Sequence, residues 1–343
     1  MKRSYILLLC LCAGIGFYAL KSQQEKLGSE PVQEVARKNE EIQQPENPVE
    51  EINAEKLQSV DEMLEHGEKA VPALIKILQT RAASPSSTES LEEWRHTVNV
   101  MDMLAEWKAE QALDVLNQMV TTSDDLSAIY NAARTIGKIG GNTAFTTLTA
   151  VLTEPDNPQD ENVTHRKRAA ILGLGLCGNT KAVPLLIQEM QDKENDDLIR
   201  VCAAGSLGLL GDQSGLQIAL EGTDSTDPEI RLRSIEMLGA IAAPSAVEHL
   251  EGIINSQAPY VYKLAAKTSM MMIEAQQLSD QEQIKYLSEN LVKFHRITAF
   301  VWWGTSRLKA LNTEESRKVL QALTKAEEPF LRDTARLKLQ TMR

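Results

Sequence analysis

From about residue 53 onward, apolar side chains recur at i, i+3 and i+4 spacing, the period of a helix with one buried face. The pattern stops near a glycine, resumes around Ala-Val or Ala-Val-Pro, and then starts again. Aligning NAARTIGKIGGNTAFTTL (131–148), AAILGLGLCGNTKAVPLL (169–186), CAAGSLGLLGDQSGLQIAL (202–220) and RSIEMLGAIAAPSAVEHL (233–250) brings small residues into register. One column reads Ala105, Gly137, Gly175, Gly208, Gly239 and then Met270, at intervals of 32, 38, 33, 31 and 31 residues. Seven places on, a second column reads Ala112, Ala144, Ala182, Gly215 and Ala246, fading at Gln277. Leu104, Ile136, Leu174, Leu207 and Leu238 stand immediately before the first column. Each period therefore predicts two antiparallel helices, the small residues letting the hairpin close tightly. A lone pair cannot bury its apolar face but a stack of pairs can, so the predicted fold class is an all-α solenoid. The proline of Ala182-Val183-Pro184 falls in a first turn, where a missing N–H costs little.

Outside the clear columns, residues 53–81 predict an opening pair, followed by a loop at 82–90. Ser279 with Glu282 has the spacing of a capping box, predicting a helix to about His295. Residues 296–311 and 313–325 predict a degenerate pair, and 329–342 a terminal helix, for about eight pairs in all. Three segments follow: 1–21, 22–50 and a repeat body at 51–343, clear over about 53–278 and divergent over 279–343, where a cap must cover the open end of the core.

The first segment differs in kind. Lys2 and Arg3 precede an uncharged apolar run of 17 residues, Ser4 to Leu20, which Lys21 closes. That length exceeds the apolar core of a typical cleavable signal and reaches the low end of a membrane span. The run suits a retained anchor better than a cleaved signal, and the basic start favours a cytoplasmic N-terminus. Either way the body is expected outside the cytoplasm, in the periplasm of a bacterial envelope. Residues 22–50 are rich in Gln, Glu, Lys and Pro, a composition that predicts a flexible tether.

Composition narrows the function classes. Aromatic residues make up 4% of the chain, so the core is built of Leu, Ile, Ala, Val and Met. The formal net charge of −12 excludes the basic footprint of a nucleic-acid binder. Residues 301–343 run the other way, with nine Lys and Arg against five Asp and Glu. Four cysteines are too few for a disulfide scaffold. In the repeat register Cys177 and Cys202 stand roughly 12 Å apart along a helix, so both are expected as buried free thiols.

The helix starts Asp227-Pro228-Glu229-Ile230-Arg231 and Asp197-Leu198-Ile199-Arg200, the Leu-Gly near each first-helix end and the Ala-Val-Pro openings at 70–72 and 182–184 resemble HEAT repeats of the phycobilisome-lyase type. The resemblance covers about 53–278 well and implies the fold; for function it spans scaffolds, regulators and a few enzymes. One enzyme on similar repeats, deoxyhypusine hydroxylase, binds iron through His-Glu dipeptides, and this chain has none. Gly173-Leu174-Gly175-Leu176-Cys177-Gly178 matches GxGxxG, but no strand precedes it and its glycines recur in the neighbouring repeats, so it reads as a repeat turn. The histidines stand apart, and neither a catalytic group, a metal site nor a cofactor is expected.

What remains is surface. With the second helices expected to line the concave face, their outward positions include Asp114, Gln118, Gln188, Gln217, Glu221 and Glu248, a polar stripe that turns acidic and could hold a polar or basic polypeptide. Trp302 and Trp303 either pack inside the C-terminal cap or form an aromatic anchor for a partner. The acidic insertion at 154–163 is a surface loop or a contact loop. The leading expectation is an extracytoplasmic, membrane-tethered scaffold for protein partners. A lyase-like repeat enzyme or cofactor-attachment factor, and a regulatory subunit of a membrane complex, are the alternatives.

Overall fold

The computed structural model describes residues 52–83, 90–155 and 162–342. The apolar run at 1–21 and the tether at 22–50 lie outside the described residues, as do 84–89 of the first loop and 156–161 of the acidic insertion.

Every described element is helical, in eight antiparallel pairs and a terminal helix. The first, or A, helices are α1 (Val60–His66), α3 (Leu91–Glu106), α5 (Leu126–Ile139), α7 (Val163–Leu176), α9 (Asp197–Leu209), α11 (Pro228–Ile241), α13 (Tyr260–Gln276) and α15 (Thr298–Leu311). Their B partners are α2 (Val71–Ala82), α4 (Leu113–Thr122), α6 (Gly141–Leu152), α8 (Ala182–Gln191), α10 (Leu216–Gly222), α12 (Val247–Asn255), α14 (Asp280–Lys293) and α16 (Glu314–Leu323). Helix α17 (Pro329–Gln340) ends the array. The helices start where the sequence provides acceptors for free N–H groups. Asp227 accepts from the amides of Glu229 at 2.7 Å and Ile230 at 3.2 Å, with Pro228 in the first turn. Asp196 accepts from Ile199 at 2.7 Å, and at Ser279 both amide and hydroxyl donate to Glu282.

The two small-residue columns have separate jobs. A Cβ on Gly137 would lie 2.2 Å from the carbonyl oxygen of Gly173, and one on Gly208 would lie 2.4 Å from the Cα of Ile241. The first column thus lets successive A helices touch backbone to backbone, rather than closing the hairpin as expected. Hairpin closure falls to the second column, where a Cβ on Gly215 would meet Ala204 at 2.5 Å.

From α3 to α17 the A helices and the terminal helix pack on one another in succession, and each B helix also packs on the next A helix. The B helices from α6 to α14 make little contact with each other. In a curved stack the crowded row lies inside the bend, so the A helices form the inner row and the B helices the outer one. The expectation that the second helices line the concave face is corrected on this point. Helix α5 is buried almost throughout, including Asn131, Arg134 and Thr135.

Curvature brings the ends together. Helix α17 packs against α1 and α3, and Leu337 joins the same buried cluster as Leu57, Met63 and Leu74. Arg336 donates to Asp61 at 2.8 Å, and the Gln340 amide donates to the Leu64 carbonyl at 2.6 Å. The cap expected over 279–343 therefore covers the open end of the core by closing onto the first repeats.

Gly137→Ala should lower the urea midpoint by an amount equivalent to about 1–3 kcal/mol, the cost of overpacking a close contact. Gly252→Ala, on an outer helix with nothing within 4 Å of the added methyl, should instead stabilise by up to about 1 kcal/mol. Equal effects of the two substitutions would contradict the A-on-A contact.

Candidate functional site

On the outer row, Asp114, Gln118, Gln188, Gln217, Glu221 and Glu248 are all exposed. Each lies on the side of its B helix away from the A row, because the neighbouring Ala, Leu and Val positions are buried: Leu116 and Met119 on α4, Leu186 and Met190 on α8, Leu250 on α12. The stripe thus exists as a surface, but on the convex side of the stack. Gln217 donates to Glu221 at 2.8 Å, one helical turn away.

Trp302 and Trp303 part company. The Trp303 ring stacks on buried Phe300 with centroids 6.0 Å apart, inside the cap. Trp302 points across the closing seam, where Lys138 Nζ lies 3.2 Å and Lys338 Nζ 4.1 Å from its ring centroid, with Arg134 at 5.6 Å. The Trp302 ring is half-buried, and a cation over such a ring contributes about 0.5–2 kcal/mol. Both tryptophans are half-buried, and each ring already has a neighbour within the protein.

Around Trp302 the seam gathers a charged cluster that the sequence reading did not single out. Asp102 Oδ1 of α3 lies 3.0 Å from Arg134 and 3.6 Å from Lys138, both on α5. One turn on, Glu106 pairs with Lys309 of α15 at 2.7 Å and with Lys338 of α17. Lys309 also donates to the Thr341 hydroxyl at 2.8 Å. Burial works to raise the Glu106 carboxyl, but Lys338 and Lys309 outweigh it and hold the group at about 2. The same contest leaves Asp102 below the usual carboxylate range, through Arg134 and Lys138. Lys138 is pushed well down by burial and by Arg134 beside it. A signal for this cluster was present. Asp102 and Glu106, four residues apart, are matched 32 residues on by Arg134 and Lys138, so the acidic pair and the basic pair occupy equivalent positions in adjoining repeats.

A second polar group lies further along the A row. Arg168 reaches Asp196 at 2.9 Å and Glu229 at 3.6 Å, and Arg233 pairs with Glu236 at 2.9 Å. Burial pushes Glu236 up to about 7 despite Arg233, and burial with Arg168 nearby lowers His165 to about 4. Cys177 and Cys202 are free and buried, burial raising the Cys202 thiol to about 11. Among the described residues no group of His, Cys, Asp and Glu is placed to hold a metal ion, and no helix is long and apolar enough to cross a membrane.

Glu106 gives the seam an acid dependence of definite sign. Its carboxyl titrates at about 2 in the fold against 4.5 ordinarily, so its contribution is complete above pH 4.5 and fades as pH falls toward 2. Glu106→Gln should therefore destabilise the protein by about 3 kcal/mol at pH 7. The gap to the parent protein, measured by urea unfolding, should shrink between pH 4.5 and pH 2. A gap unchanged at pH 2.5 would mean that the pairs with Lys338 and Lys309 do not carry it.

Residues 193–271 match the family model for HEAT repeats. No curated protein matches the chain. Among solved structures, the complex of CpcE and CpcF of phycocyanin lyase from a Nostoc species is similar at 21% identity and TM-score 0.44, over 75% of this chain and 97% of that one. Human deoxyhypusine hydroxylase in complex with glycerol is similar at 14% identity and TM-score 0.36, over 80% of this chain and 96% of that one. An engineered protein follows at 17% identity and TM-score 0.31, over 60% and 96%. Residues 193–271 are thus HEAT repeats, and the repeat columns and stacked helix pairs on either side continue the same pattern.

Proposed function

We propose that the chain is an interaction scaffold that offers its outer B-helix face to protein partners, with no catalytic activity of its own. The N-terminal apolar run would tether it to a membrane and hold the body outside the cytoplasm. One observation supports the scaffold reading above others. The A helices are consumed by packing, while Asp114, Gln118, Gln188, Gln217, Glu221 and Glu248 stand exposed along successive B helices. A face of this kind spreads affinity over many weak polar contacts, and its acidic end at Glu221 and Glu248 suits a polar or basic polypeptide.

The full chain, purified from gently solubilised membranes, should retain a reproducible protein partner that a Glu221→Lys/Glu248→Lys variant loses. Retention of the same partner by the variant would overturn the assignment of this face. In cells whose outer barrier has been opened but whose cytoplasm is intact, added protease should cleave the repeat body. Full protection would overturn the extracytoplasmic placement.

A further inference from the structure

Helices α3 and α17 face each other across the closing seam without filling the space between them. Arg95, Asn99 and Asp102 line that space from α3, at the i, i+4 and i+7 spacing of one helix face. Phe330, Asp333 and Thr334 line it from α17, and Trp302 from α15. The cavity has a volume of about 350 Å³, within the range of small-molecule pockets.

Its charges are already answered inside the protein. Arg134 and Lys138 both meet Asp102 at Oδ1, at 3.0 Å and 3.6 Å. Arg332 and Arg336 both meet Asp333 at Oδ1, at 3.2 Å and 3.9 Å. Glu328 caps α17, accepting from the Leu331 amide at 2.6 Å, and Arg95 is engaged as well. An ionic ligand finds no unmatched charge here. Oδ2 of each aspartate, with no hydrogen bond among the described residues, can still accept from a neutral hydroxyl.

The groups left over are polar and uncharged. Thr334 is only 7% exposed, yet its hydroxyl makes no hydrogen bond among the described residues, where buried polar groups normally make one. Thr97, Thr268 and Thr305, on α3, α13 and α15, instead donate to the carbonyl four residues back. The Asn99 carboxamide and the Trp302 indole N–H also have no hydrogen-bond partner among the described residues. Unspent neutral donors and acceptors beside the Trp302 and Phe330 rings fit a molecule with hydroxyls on its rim and C–H groups on its face.

We propose that this cavity binds a neutral pyranose sugar. Its hydroxyls donate to Asp102 and Asp333 and pair with Asn99 and Thr334, while its C–H groups lie against Trp302 and Phe330.

Saturation-transfer NMR on the full chain, in a detergent without a sugar headgroup, tests this with glucose, galactose, mannose and N-acetylglucosamine. Sorbitol serves as the open-chain control. At least one pyranose should show transfer at its ring C–H protons, and sorbitol should show none. Thr334→Val removes the hydroxyl and keeps the shape. It should melt no lower than the parent protein, yet bind the responding sugar roughly tenfold more weakly. Asn99→Leu should weaken binding similarly, whereas Thr146→Val, at an exposed position on α6, should change nothing. Transfer to none of the four sugars, or equal transfer to sorbitol, would make the cavity a water-filled gap and overturn the proposal. Undiminished binding by Thr334→Val would overturn it too.

Discussion

A single methyl group on Gly137 would come within 2.2 Å of the Gly173 carbonyl oxygen, and this contact recurs from repeat to repeat. Backbone-to-backbone approach of the A helices sets their spacing at the short end of the usual range for packed helices. The B helices carry larger side chains and splay apart. Inner row tight and outer row loose is a description of curvature, so the bend of the array follows from where the small residues sit. Enough bend over eight pairs brings α17 to α1 and α3, and the ends meet.

Closure changes what the interior can contain. In an open solenoid the inner row faces water, and charged residues there cost little. Here the inner row near the seam is covered, and Asp102, Glu106, Arg134, Lys138 and Lys338 must find partners inside the protein. Buried pairs of this kind add little over apolar residues of the same volume, but losing one member leaves the other unpaired at a cost of about 3–5 kcal/mol. Such a cluster therefore selects one way of meeting among the many that apolar surfaces would allow. The register of the two ends is fixed by charge, while the attraction between them comes from Leu337 and its neighbours.

The repeat was legible in the sequence because it repeats. Columns of Gly and Ala, capping residues such as Asp227 and Ser279, and the Pro184 opening placed the helices to within a few residues, including the degenerate cap. Two things were not legible. Which row lies inside the bend depends on relative crowding, and a column of small residues looks alike whether it serves its own hairpin or the next repeat. Contacts between residues over 200 apart, such as Lys338 with Glu106, have no local signature at all. The exposed stripe was read correctly as exposed, since alternation of Leu116 and Gln118, or Leu250 and Glu248, reports a surface on either side of the stack. Trp302 shows the limit most plainly: an aromatic pair in a cap predicts burial, but not that one ring faces lysines from the third pair and from the terminal helix.

A closed ring also constrains how the molecule meets others. Solenoids that stay open can wrap a partner in the concave groove and adjust their pitch to it. Closure removes the seam end of the inner row from that role and stiffens the bend, so recognition moves to the outer helices and to the edges where turns meet. The outer stripe is polar and carries few large apolar groups, which favours contacts that form and release over one permanent interface. At the seam edge the turns of the first, second and eighth pairs form a wall that no single repeat could build.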